Sequence, residues 1–517
     1  MINEIDYTKK YMLNPAYTII PDQTRAVITT AKGFDVYKPG IMEDTSISWR
    51  LNPVYAVIFS FFDGRFELSD TIKHISVETG LSEDKIIDFV KPFFYNTQHL
   101  SIQYAFEKSD DNLRSRNFTI PKRFIIENIE NTPRTDLHSK EEFYIRKELW
   151  DFNTFRLKYP IGMTLMLNNK CATDCVYCYA NKDYKVENPL PTEKILSLIK
   201  EASDLGVLRF DISGGEVMLH KDWDLIVSEL LKYGFLPQIS TKVPLMEGQI
   251  KRLKELGIQR IQVSIDAWNA VTLSKVLGVK ETYFDKLKET LRLLEIYDIK
   301  VSVKSVITRF NQDLKEIETL LTNLVTFSNI VNISVAPGEN SLYKHGEKGF
   351  INYRTLVKEW NKISEWVSTF ASNFTTKITT QGCISKNLVF NPVEEKAMMF
   401  GKRSLCSGNI ISLYILPDGQ VGICEEMYWE PKFILGNVTK QSIMEIWNSE
   451  KAIGLYNLSQ SDFRPLSACK YCPDFLICRS TLGVCWKFIY MAYGTDHWDM
   501  PDPRCPLAPP PVNEFYR

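Results

Sequence analysis

Three cysteines fall within eight residues, in the stretch Lys170-Cys171-Ala172-Thr173-Asp174-Cys175-Val176-Tyr177-Cys178-Tyr179. Their spacing is Cys-x3-Cys-x2-Cys, and they follow directly on an apolar run, Met163 to Leu167. Three thiolates on one short loop can hold three corners of a [4Fe–4S] cubane and leave the fourth iron open to a small molecule, which a four-cysteine electron-transfer site cannot do. Zinc is the competing ligand. Structural zinc favours paired Cys-x2-Cys knuckles with four protein ligands, and a lone group of three fits it poorly.

The chain around this loop alternates between two patterns. From Tyr159 to about Pro337, strand candidates at Gly162–Leu167, Leu208–Ile212, Gln238–Thr241, Gln259–Ile265, Lys300–Ile307 and Ile330–Ala336 are separated by helical patterns. The helices include Thr192–Leu205, Trp223–Tyr233, Gln249–Leu256, Phe284–Tyr297 and Leu314–Thr326, and several stop at a glycine just before a strand. Such alternation implies parallel strands joined by right-handed crossovers. Six units predict an α/β fold built on a partial (β/α)6 barrel over residues 159–340. Active residues in barrels stand at the C-terminal ends of strands, and the cysteine loop falls just after the first.

Composition narrows the rest. With 517 residues, two to four domains are expected. The formal net charge of −1 gives no bulk attraction for nucleic acid. No apolar run approaches the roughly 18 residues of a membrane span. The first residues, Met1-Ile2-Asn3-Glu4-Ile5-Asp6, have neither the basic nor the apolar region of a signal peptide. A cytoplasmic location without membrane contact is the expectation. None of the eleven cysteines precedes position 171, and eight lie after position 380. Clustered cysteines without an export signal favour metal over disulfides.

The loop Cys171–Cys178, taken with the strand ends that follow it, resembles the signature of the radical S-adenosylmethionine (SAM) enzymes. The resemblance implies that Cys171, Cys175 and Cys178 ligate a [4Fe–4S] cluster whose electron splits SAM into a 5′-deoxyadenosyl radical. The second strand ends in Ser213-Gly214-Gly215-Glu216, which resembles the motif that binds the methionine ammonium through glycine backbone carbonyls, with Glu216 adding its charge. The fourth strand ends in Ser264-Ile265-Asp266, and two residues apart on a strand share a face. By resemblance Ser264 contacts SAM and Asp266 helps to position its ribose. Tyr177 presents its backbone to the adenine, and Lys304 is a candidate for the methionine carboxylate or for a pairing acid in the barrel. Ser240 and Thr241 end the third strand in the same cleft. Relatives often carry Arg-Gly after the fourth strand, where this chain has Leu277-Gly278, so any task of that arginine falls elsewhere here.

The remaining cysteines read Cys406-x12-Gly419-x4-Cys424, then Cys469-x2-Cys472-x5-Cys478-x6-Cys485, and finally Cys505. Asp418-Gly419 between alternating apolar runs signals a tight hairpin, which would bring Cys406 and Cys424 together. Alone, the later group would read as a zinc ribbon. Joined to the loop, it closely resembles the Cys-rich SPASM extension of radical SAM peptide- and protein-modifying enzymes, expected over residues 401–517. That resemblance implies two auxiliary [4Fe–4S] clusters, so three in all. Cys406, Cys424 and Cys485 serve the first, and Cys469, Cys472, Cys478 and Cys505 the second. Cys383 closes the first auxiliary cluster or leaves it with an open iron. No general acid or base stands out.

Residues 17–110 read as a separate N-terminal domain. Extended stretches at Ala26–Thr30 and Phe34–Tyr37 precede three helical patterns, opened by Pro53, Ser69-Asp70 and Ser82-Glu83-Asp84. From Leu51 to Tyr95 this resembles the small PqqD-like winged-helix module that recognises leader peptides by adding them as a strand to its sheet edge. A DNA-binding winged helix is the alternative, weakened by the lack of basic character. Residues 111–158 read as a polar linker with one helix near 140–150, and residues 341–400 as a mostly helical connector in which Trp360, Ile363 and Val367 form a packing stripe. The whole chain resembles a peptide maturase, an oxidoreductase that crosslinks a ribosomally made precursor. The resemblance implies a precursor peptide with its leader as partner, and reduced flavodoxin or ferredoxin as electron donor. An epimerase, a decarboxylating enzyme or a sulfatase-maturase-like enzyme stays within the class. A non-enzymatic winged helix with a zinc ribbon is the contrast.

Overall fold

The computed structural model describes residues 5–34, 48–104, 116–152, 154–338, 341–343, 353–381, 396, 406–481 and 483–512. The chain divides into two compact units, Met1–Lys158 and Tyr159–Arg517.

In the first unit, strands β1 (Lys10–Leu13), β2 (Tyr17–Asp22), β3 (Arg25–Thr30) and β4 (Ser48–Leu51) precede helix α1 (Pro53–Ser60). Strand β5 (Asp63–Glu67), helices α2 (Leu68–Thr79) and α3 (Glu83–Val90), and strands β6 (Leu100–Tyr104), β7 (Arg116–Ile120) and β8 (Ile125–Glu127) follow. Strand β1 lies between β5 and β8, both antiparallel to it; β2-β3-β4 form a meander, and β6 pairs with β7. Helix α1 starts where the sequence suggests. Pro53 needs no hydrogen-bond partner at a helix start, and the Asn52 side chain accepts from the Val54 amide at 2.9 Å. The core is aromatic. Phe59 is fully buried and meets Phe93 and Phe124 edge-on. Phe59→Ala is therefore expected to cost about 3–5 kcal/mol, read as an earlier urea transition of the full chain.

The stretch expected as a linker is folded into this unit. Phe118, Ile120, Phe124, Ile125 and Phe143 are buried. Arg134 donates to the carbonyls of Leu13, Asn14 and Tyr17 at 3.3, 3.3 and 2.9 Å. The stretch shows no period of its own, because its strands are three to five residues long and β8 pairs with β1, more than a hundred residues away. The helix expected near 140–150 is two 3₁₀ turns, Lys140–Phe143 and Lys147–Leu149. The extended stretch at Phe34–Tyr37 lies, from residue 35 on, outside the described residues.

The second unit holds the barrel. Its strands are β9 (Gly162–Met166), β10 (Arg209–Ser213), β11 (Ser240–Thr241), β12 (Arg260–Ser264), β13 (Lys300–Ile307) and β14 (Ile330–Pro337). Helices α4 (Thr192–Asp204), α5 (Trp223–Lys232), α6 (Glu247–Glu255), α7 (Ala270–Leu277), α8 (Tyr283–Ile296) and α9 (Leu314–Leu324) connect them. Ladders β9–β10 and β11–β12–β13–β14 are parallel throughout, as the alternating pattern predicts. Helix α7 is an addition to the helices read from the sequence. In the connector, helix α10 (Val357–Ala371) buries Trp360, Ile363 and Val367, and strand β15 (Lys377–Thr380) then pairs in parallel with β14. That strand is missing from the helical expectation, because four residues carry no pattern of their own.

The C-terminal region continues the barrel. Strand β16 (Ser412–Ile415) pairs in parallel with β9, Ser412 opposite Gly162 and Ile415 opposite Leu165. It then turns back through an antiparallel hairpin into β17 (Gln420–Gly422), which pairs with β18 (Gly436–Asn437). Leu413, Ile415, Val421 and Trp447 share one apolar core with Leu165, Val263 and Ile333. No helix among the described residues is long and apolar enough to cross a membrane.

Candidate active site

The cysteine loop leaves β9 and is tied down on two sides. On one side the Leu167 amide donates to the Ser213 carbonyl at 2.9 Å, and the Gly215 amide to the Asn168 carbonyl at 2.7 Å. On the other, the Asp174 and Val176 amides donate to the carbonyls of Leu277 and Val276 at 2.7 and 2.9 Å. Helix α7 thus ends against the loop. Gly278 has φ +64°, and a Cβ there would stand 3.0 Å from the Asp174 carbonyl. Leu277-Gly278 is a seat for the loop in this chain.

Cys175 is buried, and Cys171 and Cys178 are half-buried. The buried Thr173 hydroxyl lies 3.2 Å from the Cys171 sulfur and 3.3 Å from that of Cys175. Burial pushes the Cys175 thiol up, and the Lys242 ammonium pulls it back.

The glycines beside the loop are dictated by crowding. A Cβ on Gly215 would fall 2.2 Å from the Lys170 carbonyl oxygen, and one on Gly214 would fall 2.7 Å from that of Asn168. Glu216 is buried and acts as a brace. One carboxylate oxygen accepts from the Met218 amide at 3.0 Å, and the other from the Thr241 hydroxyl at 3.0 Å and the Lys242 amide at 3.2 Å. It joins the ends of β10 and β11, and burial raises its pKa.

Beyond β12, Asp266 is 1% exposed. One of its oxygens accepts from the Val306 amide at 2.8 Å, and the other from the Lys242 ammonium at 3.1 Å and from the Tyr177 hydroxyl. The Lys242 ammonium also donates to the Tyr177 oxygen and sits 4.8 Å from the centre of its ring. Tyr177 thus brings its side chain, as well as its backbone, into the cleft. Ser264 is half-buried, opposite Lys304 in the β12–β13 register, and Lys304 is exposed. Thr241 is buried against Glu216, whereas the exposed Ser240 accepts from Gln262 at 2.7 Å. Lys242 carries no signature in the sequence. It stands one residue past a two-residue strand, and nothing in the linear pattern says that its ammonium turns inward.

Among the C-terminal cysteines, Cys406 and Cys485 stand close enough to act on Cys424, and Cys478 close enough to act on Cys469. Burial, then Cys406, Glu426 and Cys485 nearby, push the Cys424 thiol up to about 12. Burial raises Cys485 to about 11, with Asp502 and Cys406 adding to it. A cavity of about 60 Å³ is lined by Cys406, by Ile423 next to Cys424, and by Val484 and Trp486 on either side of Cys485. Burial and the neighbouring Cys478 raise Cys469, which Arg479 lowers. Cys469 and Cys505 both act on the Tyr493 hydroxyl. The Gln460 side chain donates to the carbonyls of Cys469 and Cys472 at 3.3 and 2.9 Å. Cys383 lies outside the described residues. Among the described residues, no three His, Cys, Asp or Glu side chains converge as ligands of a single ion. A cubane spreads its thiolates over separate irons, and the all-sulfur donor sets, with the glycine cradle under the loop, fit that group.

Residues 165–324 match the model of the radical SAM superfamily, and residues 406–473 that of an iron-sulfur cluster-binding domain, SPASM. This chain carries a radical SAM domain and a SPASM domain. The two imply iron–sulfur clusters and SAM as cofactors. A probable GTP 3′,8-cyclase from Pyrobaculum aerophilum is 30% identical over 161 residues, which are 30% of this chain and 51% of the relative. A PqqA peptide cyclase from Granulibacter bethesdensis is 30% identical over 158 residues, 30% of this chain and 41% of the relative. The chain thus spans about half or less of the curated relatives it matches. In fold it is similar to Streptococcus suis SuiB bound to S-adenosylmethionine, with a TM-score of 0.61 at 14% identity, over 96% of this chain and 99% of that one. SuiB bound to its precursor peptide SuiA gives 0.59 at 14%, over 95% and 98%.

The SPASM domain reaches the radical SAM barrel electrostatically as well as through β16. Burial and Glu426 raise Glu425, the residue after Cys424, while Lys304 of β13 and Lys487 lower it. The Tyr414 hydroxyl of β16 lies 3.0 Å from that of Ser213 at the end of β10.

Proposed function

We propose that this chain is a radical SAM peptide maturase that modifies a ribosomally made precursor by forming a thioether or carbon–carbon crosslink. One observation carries the reading. The three-cysteine loop leaves the end of β9, and β16, the first strand of the SPASM hairpin, pairs with that same strand, so the radical site and the hairpin that leads to Cys424 are anchored on one sheet. The names of the peptide cyclase and of the SuiA-bound SuiB structure support a peptide as substrate.

When bound, the reduced cluster and SAM supply a radical that removes a hydrogen atom from the substrate. This chain's residues hold and shield them. Cys171, Cys175 and Cys178 ligate the cluster. Gly214 and Gly215 offer backbone to the methionine ammonium, Glu216 braces that turn, and Ser264, Asp266, Lys304 and the Tyr177 backbone complete the SAM cleft. Cys406, Cys424 and Cys485, with Cys383, hold the first auxiliary cluster, and Cys469, Cys472, Cys478 and Cys505 the second. Electrons come from reduced flavodoxin or ferredoxin. The N-terminal unit receives the leader as an added strand, for which the β5-β1-β8 sheet presents β5 and β8 as edges.

The test is anaerobic incubation with SAM, a low-potential reductant and the short peptide encoded beside the gene. Protein loaded with three cubanes holds about twelve irons. A peptide product lighter by two mass units is expected for a crosslink. Unchanged mass with deuterium taken from solvent would make the enzyme an epimerase, and one zinc with no SAM cleavage would end the reading altogether.

A further inference from the structure

Lys242 reaches into the barrel between Asp266 and Tyr177, and it is not among the residues proposed to hold SAM or the cluster. Its side chain is 16% exposed, and that of its partner Asp266 is wholly buried. Burying such a pair carries a desolvation cost, and a pair of apolar residues often serves stability as well or better. The pair is also held in place. Tyr177, between Cys175 and Cys178 on the loop, donates its hydroxyl to Asp266, receives a hydrogen bond from Lys242 and offers its ring face to the ammonium. The cation is therefore pinned to the loop by a residue of the loop itself. Burial disfavours the ammonium, but the buried Asp266 carboxylate at 3.1 Å outweighs it, so Lys242 stays charged. Lys182 also lies by the loop, but its partner Asp174, at 3.3 Å, is 69% exposed, so solvent screens that pair.

We propose that Lys242 is a positioning residue for the redox chemistry of the loop: its ammonium, fixed by Tyr177 and Asp266 beside Cys175 and Cys178, raises the reduction potential of the cluster those cysteines hold. Reduction transfers one electron from an external low-potential donor to the cluster, adds one negative charge there and moves no proton. A fixed positive charge nearby stabilises the reduced form more than the oxidised form. At the effective dielectric of about 20 suited to protein sites, a unit charge roughly 12 Å from a cluster shifts the reduced-to-oxidised ratio about tenfold, and a nearer one shifts it more. Asp266 acts with the opposite sign on the same cluster.

The inference rests on reading Cys171, Cys175 and Cys178 as cluster ligands, and the experiment separates the two. The reconstituted full chain is titrated anaerobically with dithionite and followed by electron paramagnetic resonance. The cluster of the loop is the one whose signal changes when SAM is added. Lys242→Met is expected to lower its potential by a tenfold change in ratio, about 59 mV for a one-electron couple. Asp266→Asn is expected to raise it, and Lys242→Arg to restore the wild-type value. An unchanged potential in Lys242→Met, or shifts of the same sign in Lys242→Met and Asp266→Asn, would overturn the proposal while leaving the ligand assignment intact. If Lys242→Met does not hold its cluster, Lys242→Gln, which keeps a donor for Tyr177 but no charge, takes its place, and a potential equal to wild type overturns the proposal. Wild-type protein with no SAM-responsive signal would instead remove the ligand assignment itself.

Discussion

Cys175→Ala is expected to lower the iron content of anaerobically reconstituted protein from about twelve to about eight atoms, one cubane of three being lost. SAM cleavage should vanish with it. Cys175 is the most enclosed of the three thiols, beside the Thr173 hydroxyl and within reach of the Lys242 charge. The auxiliary cysteines lie in a different part of the unit and should keep their iron. Iron analysis and the yield of 5′-deoxyadenosine check both halves. Iron unchanged at about twelve would remove Cys175 from the ligand set.

Gly215→Ala is expected to be nearly as damaging, although it touches no sulfur. The added methyl would fall 2.2 Å from the Lys170 carbonyl oxygen, and the atom it strikes is backbone, which cannot swing aside. Overpacking of this kind costs about 1–3 kcal/mol or more. Here the strain is delivered to the residue before Cys171. A displacement on the order of 1 Å at a reacting centre can cost about a hundredfold in rate, so SAM cleavage should fall by at least that factor. Gly248→Ala is the control. That glycine lies in α6, a Cβ there meets nothing within 4 Å, and the change should leave cleavage intact. Equal rates in the two variants would show that the loop tolerates the shift.

Legibility differed from one part of the chain to another, for physical reasons. The barrel was readable because each strand and helix announces itself by a local period, and because parallel strands need crossovers. Cys171, Cys175 and Cys178 were readable because their ligand geometry is set by spacing within a single loop. The role of Leu277-Gly278 was not, since a seat is defined by what rests on it, and Asp174 lies about a hundred residues away in sequence. Glu216 shows a mixed case. Its position after two glycines marks the turn, but its contacts with Met218, Thr241 and Lys242 are set by where β10 and β11 end.

The linear order of residues was sufficient for the fold class, the cluster loop and the hairpin around Gly419, because period, spacing and turn chemistry are local. Three-dimensional packing was needed for the rest. It folded residues 116–152 into the N-terminal unit, laid β16 beside β9, and turned Lys242 inward onto Tyr177 and Asp266. Each of these joins segments far apart in the chain through contacts that have no period. What selects them is the burial of apolar area and the pairing of buried charge, and both are properties of the closed core.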